Sequence, residues 1–325
     1  MRWTLHPATR FADFAPRWDA LQAAHPAAPM LQSDFVAALL AEFGSGAELL
    51  AICGDTMTIV RPHGRGSWAT FQPAQAPLGL WIEAPALDRQ AAMASLLRAL
   101  PGVGLVLGLT QLDPFLAPAP VEAIDYIQTA RITVAGSFDD YWAGRGKNLR
   151  SNLKKQRARL AADGVPLRLQ VSTDPADMLA AVRDFGQLES AGWKAQAGTA
   201  VHLDNAQGRF YHRMLAAFAA RGAATVYRYW FGEQLVAMDL CIRQGDCIVV
   251  LKTTYDESVS KVFSPALLMR EEAVRTLFDN PGTARIEFYG KVMEWHTRWT
   301  EEVRTLYHVN VYRWAALRRL HALSK

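Results

Sequence analysis

Residues 251–268 read LKTTYDESVSKVFSPALL, and this stretch decides the interpretation of the chain. Its first residues are β-type and predict the end of a strand, which the acidic turn after Tyr255 closes. Ser264 is a favoured helix N-cap, and Pro265 suits the first helical position. The stretch therefore predicts a strand, a loop and a helix whose first amide groups, at residues 266–268, are free to bind an anion.

The segments around this stretch predict a regular order of elements. Apolar runs separated by Gly-containing turns indicate a meander of three antiparallel strands, and amphipathic segments precede and follow it. The predicted strands are 167–171, 224–230, 235–242, 247–254, 284–289 and 306–312. The predicted helices are 175–189, 205–221, 265–278 and 291–302. Such an order is typical of a mixed sheet flanked by helices.

The N-terminal half has a similar order of elements without a residue-level repeat. A strand, two helices, antiparallel strands, a helix and a further strand are predicted before the Pro-rich segment 114–120. A helix over residues 145–160 follows, with seven basic and no acidic residues. We predict an N-terminal domain at 1–140, a basic linker helix at 141–163 and a C-terminal domain at 164–325.

Composition narrows the class of protein. The 325 residues are 50% hydrophobic and 20% charged, which is ordinary for a folded globular chain and long enough for two domains. The net charge of +4 is compatible with an anionic partner. Three cysteines without zinc-ligand spacing, no signal-peptide pattern and no long apolar run predict a cytoplasmic protein that binds no metal and no membrane.

Three segments together resemble a known family. Residues 251–268 resemble the K-x-x-Y-D-E…S-P-G-x-L-L signature of the CelD/BioF-type GNAT acetyltransferases, which are related to the Fem-type peptidyltransferases. Residues 189–194 (ESAGWK) resemble the E-x-x-G-W-K element of that family, and residues 150–160 resemble its basic L-R-R-x-x-R-x-L element. The resemblance covers about residues 138–312, and Ala266 stands where the family usually has Gly. It implies an α/β fold of two tandem GNAT-like domains, each with a mixed, mainly antiparallel sheet flanked by helices.

The resemblance implies that the C-terminal domain binds the acyl donor, acetyl-CoA or another acyl-CoA, and that the N-terminal domain has no donor site. A helix N-terminus seats a pyrophosphate in this fold, and backbone amides beside the splayed central strand polarise the thioester. The expected donor-binding residues are Lys252, Thr253, Lys261, Ser264, Pro265, Ala266, Leu267 and Leu268.

Two acids are candidates for the base that deprotonates an amine acceptor. Glu189 is expected at a helix end facing the cleft, although a surface pair with Lys194 is the alternative interpretation. Asp239 interrupts an apolar strand, where a carboxylate needs a partner or a role, and it is either the second candidate base or the group that binds the acceptor amine. Tyr255 is the candidate proton donor to the departing thiol, or else a half-buried core residue.

The expected acceptor-binding residues are Trp193, Lys194, Tyr289 and Lys291. The acceptor is expected to be a small amine, and the reaction a direct acyl transfer to it. Two alternatives remain open: a Fem-type transferase that uses aminoacyl-tRNA, which the basic helix at 145–160 favours, and a non-catalytic GNAT scaffold, which Ala266 and the missing Gly-rich pyrophosphate loop favour. Nucleic acid is a partner only in the first alternative.

Overall fold

A computed structural model describes residues 1–84, 87–190 and 200–323. The strands are β1 Thr4–Pro7, β2 Leu49–Cys53, β3 Thr56–Gly64, β4 Ser67–Thr70, β5 Trp81–Ile82, β6 Val106–Leu112, β7 Ile124–Thr133, β8 Leu167–Ser172, β9 Ala224–Phe231, β10 Gln234–Gln244, β11 Cys247–Tyr255, β12 Arg285–Phe288 and β13 Val303–Tyr312. The α-helices are α1 Phe11–Gln22, α2 Ser33–Phe43, α3 Arg89–Ala99, α4 Phe138–Ala143, α5 Lys147–Ala162, α6 Met178–Ser190, α7 Ala206–Ala219, α8 Pro265–Phe278, α9 Glu294–Thr297 and α10 Ala315–Leu323.

The chain forms two compact units. The first contains Met1–Gln128 and the residues from Arg304 onward, and the second contains Thr129–Val303. Strand order in the first unit is β1-β2-β3-β4-β6-β13, and in the second it is β8-β9-β10-β11-β12-β7. In both orders three antiparallel pairs are followed by one parallel pair and one antiparallel pair. The predicted class, two α/β units with mixed and mainly antiparallel sheets, is confirmed.

The units differ from the predicted domain boundaries at both ends. The segment that supplies the last strand of the second sheet, β7, was assigned to the N-terminal domain, and β13 was assigned to the C-terminal one. Instead β7 pairs with β12 over Ala130–Thr133, and β13 pairs with β6 over residues 307–312. Both pairings join residues that are far apart in the chain, so local sequence patterns do not predict them.

Helices cover both faces of the second sheet. Asp239 and Thr253, a cross-strand pair, bond to Arg270 of α8, whereas Lys252 bonds to Glu189 of α6 and to α7. Because successive strand residues point to opposite faces, α8 lies on one face and α6 and α7 on the other. The basic helix α5 packs with α8 through Arg157, which bonds to Glu271 and Glu272. Within the described ranges no helix combines the length and apolar character that a membrane crossing requires.

Two glycines allow the segment that begins at residue 200 to approach α6 and α7 closely. A Cβ added at Gly186 would overlap the carbonyl oxygen of Val201, and one at Gly208 would overlap that of His202. We expect Gly208→Ala to lower the free energy of unfolding by about 2 kcal/mol, because backbone must shift to admit the methyl group. Chemical denaturation measures this. Gly144→Ala, where a Cβ meets only ordinary contacts, is the control and should change it by less than about 0.5 kcal/mol; equal effects would contradict the close approach.

Candidate functional site

The second sheet opens beyond the short pairing of β11 with β12. Their parallel pairing covers only Cys247–Val249 and Arg285–Glu287, while β11 continues to Tyr255. A cavity of about 950 Å³ lies at this opening. Its walls are the second half of β11 and the turn after it, the first turns of α8, and parts of the segment 288–296. A splayed pair of strands thus forms a cleft large enough for a small-molecule ligand.

A β-bulge lies in β11 at the edge of this opening. Leu240 pairs with Lys252 and Cys241 pairs with Val250, so Leu251 is an extra residue on β11. A bulge changes which face the following side chains reach and increases the local twist of the strand. The bulge therefore sets the orientation of the cavity residues Lys252 and Thr253.

The N-terminus of α8 lines the cavity, but more of its backbone amides are hydrogen-bonded than the sequence predicted. The Leu267 and Leu268 amides both donate to the carbonyl of Ser264, so the expectation of three free amides needs correction. The Ser264 side chain makes no capping hydrogen bond, and its own amide donates to Oε1 of Gln156. Among the described residues no acceptor faces the Ala266 amide, which leaves this position open to an anion at the positive end of the helix dipole.

In the first unit the parallel strands β4 and β6 correspond to β11 and β12, and hydrogen bonds close the space beyond their pairing. The hydroxyls of Thr70 and Thr110 lie 2.6 Å apart, one residue beyond the last paired residue of β4 and two beyond that of β6, and the Thr110 amide also donates to Thr70. The helix that follows, α3, has its N-terminus capped by Asp88, which accepts from the Ala91 amide. A carboxylate at this position repels an incoming phosphate. These contacts agree with the expectation that the N-terminal half has no donor site, which stays a prediction.

Glu189 forms a buried ion pair instead of facing the cavity. Its side chain is fully buried, and Nζ of Lys252 lies 2.9 and 3.2 Å from its two oxygens. The Val201 amide donates to the same carboxylate at 2.9 Å, and Gln207 accepts a further bond from Lys252. Lys252, but not Glu189, is among the residues that line the cavity. This geometry makes Glu189 the residue that positions Lys252; the predicted role as base would require the pair to separate.

Asp239 has the partner that its position in an apolar strand demands. It is 1% exposed, and its Oδ1 accepts from the Thr253 hydroxyl at 2.5 Å and from Nη2 of Arg270 at 3.1 Å. Burial raises the pKa of the Asp239 carboxyl, and the Arg270 charge and the Thr253 bond oppose that rise. Asp239 does not line the cavity, so the geometry favours it as the counter-ion of Arg270 over the predicted role as base.

The wall formed by residues 288–296 is aromatic and contains a neutral histidine. Nδ1 of His296 accepts from the Met293 amide at 2.9 Å, and the Trp295 ring stacks on the imidazole with centroids 3.5 Å apart. Burial and the nearby Arg270 charge lower the pKa of His296 to about 4. The imidazole is therefore neutral near pH 7, with its proton on Nε2.

Acidification tests the state of His296. In the folded chain its pKa lies below the unfolded value near 6.5, so only the unfolded chain binds this proton between about pH 6.5 and 4. The free energy of unfolding should therefore fall as the pH is lowered through this window. His296→Asn, whose oxygen can accept the same amide bond, should lose this component while retaining contributions from Glu48 and Glu302, whose lowered pKa values act at more acidic pH. Parallel pH profiles for both proteins between pH 6.5 and 5 would contradict the assignment.

The other predicted site residues fall into three groups. Those that line the cavity are Lys252, Thr253, Tyr255, Lys261, Ser264, Pro265, Ala266, Leu267 and Tyr289. Leu268 belongs to the hydrophobic core, and Lys291 is exposed and not among the lining residues, so the structure does not bring these two to the cavity. Trp193 and Lys194 lie outside the described residues.

Two cavity residues, Arg270 and His296, were missed by the sequence interpretation. Arg270 is 3% exposed and lies between Met269 and Ala273, both core positions of α8. A charged residue at a core position of an amphipathic helix is a signal that the sequence did contain. His296 had no comparable signal, because the segment predicted as a helix over 291–302 is helical only at Glu294–Thr297.

The basic helix α5 lies beside the cavity entrance. Arg157 bonds to Glu271 and Glu272 of α8 and to the carbonyl of Leu268, which shows that this residue fixes the helix in place. The guanidinium of Arg159 lies 5.7 Å from the ring of Phe263, a cavity residue. Part of the basic charge is therefore structural, and part is exposed next to the cavity.

The family model described as Acetyltransferase (GNAT) domain matches residues 147–297. No curated protein matches the sequence. The matched segment contains β8 to β12 and every described residue that lines the cavity.

Similar solved structures extend over nearly the whole chain. The C-terminal domain (DUF2156) of a protein named as a lysylphosphatidylglycerol synthetase from Agrobacterium fabrum has a TM-score of 0.58 at 14% identity, covering 96% of this chain and 95% of that one. FemX has a TM-score of 0.58 at 9% identity, covering 98% and 99%. L-PGS from Bacillus licheniformis has a TM-score of 0.53 at 10% identity, covering 95% of each. At these identities the similarity to solved structures establishes the fold alone, and the family-model match shows an acetyltransferase (GNAT) domain at residues 147–297.

Proposed function

We propose that the chain is an N-acyltransferase that transfers an acyl group from acyl-CoA directly to an amine. The observation that carries the proposal is the cavity between the splayed strands β11 and β12, with the open N-terminus of α8 at its wall. The helix end and Lys261 suit the pyrophosphate of the donor. The exposed edge of β11 offers backbone amides to the amide groups and the thioester carbonyl of the pantetheine arm.

The acceptor amine is assigned to the opposite face of the sheet. Lys252 and its partner Glu189 lie on that face, across β11 from Thr253 and α8. Attack of the neutral amine nitrogen on the thioester carbon forms the amide and breaks the C–S bond. The nitrogen releases one proton to solvent, and the departing thiolate takes up one proton, so that the two transfers balance and solvent restores the proton donor. Tyr255 lines the cavity and is 48% exposed, so its hydroxyl is available for that proton.

Direct transfer is favoured over an acyl-enzyme intermediate. Cys241 and Cys247 are both buried, and neither lines the cavity. Burial and the Asp239 charge raise the pKa of the Cys241 thiol well above its usual value, which suppresses the thiolate that a nucleophile requires.

The test is release of CoA from acetyl-CoA in the presence of a panel of amines, corrected for hydrolysis without amine. The proposal requires amine-dependent release and a matching N-acetylated product. Absence of both, with the protein folded and the panel spanning amino acids, amino sugars and polyamines, would count against it.

Tyr255→Phe provides the first mechanistic test. We expect kcat to fall about tenfold with little change in KM, because the hydroxyl acts on the leaving thiolate and not on binding. A tenfold loss is at the low end for removal of a general acid, because water reaches this half-exposed side chain and can protonate the thiolate in its place. Tyr312→Phe, a tyrosine of the first unit outside the cavity, is the control; if Tyr255→Phe behaved in the same way, the tyrosine would have no part in proton transfer.

A second candidate function is transfer from aminoacyl-tRNA. It is favoured by one observation, the exposed basic residues of α5 beside the cavity, and it agrees with the FemX-like fold. Binding of tRNA that weakens steeply with salt would support it. Binding of acyl-CoA without tRNA binding would favour the first proposal.

A further inference from the structure

The inner wall of the cavity contains a buried arginine whose hydrogen-bonding capacity is only partly used. Nη2 of Arg270 donates to Asp239 and to Thr253, but Nη1 is buried and has no acceptor among the described residues. The rings of Phe288 and Trp295 lie 5.1 and 5.3 Å from the guanidinium. Arg270 is 3% exposed and is itself among the residues that line the cavity.

A second donor lies on the same wall. Because Nδ1 of His296 accepts from the Met293 amide, Nε2 carries the proton of the neutral ring. Within residues 1–84, 87–190 and 200–323 no acceptor for Nε2 is present, and the ring lines the cavity. The wall therefore offers two nitrogen donors, one of them cationic, with the rings of Phe288 and Trp295 beside the guanidinium.

Leaving a buried charged donor without an acceptor is unfavourable for the free protein. An anionic oxygen group on a ligand would remove the penalty, because each carboxylate oxygen can accept a hydrogen bond from a donor such as Nη1 of Arg270 or Nε2 of His296. Among the described residues, the acids of the cavity, Asp256 and Glu257, lie on the turn after β11. An ammonium group is disfavoured at this wall because Nη1 of Arg270 and Nε2 of His296 are both donors and offer it no acceptor.

The position of this wall selects the donor as the source of the carboxylate. Arg270 and Thr253 lie on the face of the sheet that α8 covers, and the N-terminus of α8 is the proposed entry of the donor. The acceptor is assigned to the other face, where Lys252 pairs with Glu189.

We propose that this wall is a subsite for a carboxylate on the transferred acyl group, so that the preferred donors are the CoA thioesters of dicarboxylic acids, such as succinyl-CoA. The inference rests on the proposed acyl-CoA-dependent function. Arg270 supplies the charge, His296 supplies a neutral donor, and Asp239 with Thr253 holds the guanidinium in place.

Equilibrium binding of two matched thioesters to the full chain tests the subsite. Butyryl-CoA and succinyl-CoA both carry four-carbon acyl groups, and the latter ends in a carboxylate. Calorimetry should give succinyl-CoA a dissociation constant at least about tenfold lower, as expected for a hydrogen bond between charged groups. Arg270→Gln should abolish this preference and leave butyryl-CoA binding within about threefold. Arg275→Gln, an exposed arginine on the same helix, should retain the preference.

The outcomes separate the two proposals. Equal binding of both thioesters to the wild-type chain overturns the subsite and leaves the proposed function standing. No binding of any CoA thioester overturns the proposed function itself. If Arg270→Gln does not fold, His296→Gln is the substitute, and a preference that it leaves undiminished overturns the assignment of His296. The comparison of succinyl-CoA with butyryl-CoA on the wild-type protein tests the subsite even if neither variant folds.

Discussion

Ala266→Glu is expected to weaken acyl-CoA binding by about a hundredfold without destabilising the protein. The new carboxylate would stand at the first turn of α8, where the Ala266 amide is open and the cavity begins. Repulsion between this charge and the pyrophosphate at a few ångströms accounts for the loss. The same charge interacts favourably with the helix dipole, so the free energy of unfolding should stay the same or rise by a few tenths of a kcal/mol.

Ala266→Gln is the matched control, because it adds nearly the same volume without the charge. Calorimetry with acetyl-CoA should give it a dissociation constant between those of the wild type and of Ala266→Glu. Equal losses for both variants would show that volume and not charge excludes the donor. Unchanged binding in Ala266→Glu would remove the N-terminus of α8 from the donor site.

Breaking the buried pair of Glu189 and Lys252 is expected to have the largest effect on stability. Glu189→Leu leaves the Lys252 ammonium, which is 20% exposed, without its counter-ion, and Lys252→Met leaves a carboxylate with no exposure at all. Each single change should lower the free energy of unfolding by about 3 kcal/mol. The double variant should lose about 1 kcal/mol or less, since no unpaired charge remains.

A double-mutant cycle in urea measures this coupling. Glu294→Gln is the control, because its pair with Arg298 is largely exposed and should change the free energy by less than about 0.5 kcal/mol. Additive losses in the cycle would mean that the two residues act independently, and that Glu189 does not position Lys252.

Local signals in the sequence were sufficient to predict the bounds of many helices and strands of the second unit. The helix predicted over 265–278 has the same bounds in the structure, because Ser264 and Pro265 mark its start. The three meander strands were predicted within a few residues because glycine turns separate their apolar runs. The end of β11 and the start of α8 border the cavity, so the same local signals also selected residues that line it.

Long-range contacts account for what the sequence did not reveal. The pairing of Glu189 with Lys252 joins residues 63 positions apart, and the guanidinium of Arg270 meets Asp239 across 31 positions. No periodicity encodes such partners, so the sequence did not reveal that both candidate bases, Glu189 and Asp239, form ion pairs in the folded chain. The places of β7 and β13 in the two sheets have the same origin, and the helices α4 and α10 were also not anticipated.

Thermal unfolding of the protein with and without acetyl-CoA shows whether the cavity binds an acyl-CoA. We expect stabilisation that grows with ligand concentration, by about 2.7 kcal/mol at a hundred times the dissociation constant. CoA should produce a similar effect, because most of the proposed contacts are with its pyrophosphate and pantetheine arm. An unchanged unfolding temperature with CoA, acetyl-CoA, butyryl-CoA and succinyl-CoA at millimolar concentration would contradict the assignment of the cavity as an acyl-CoA site.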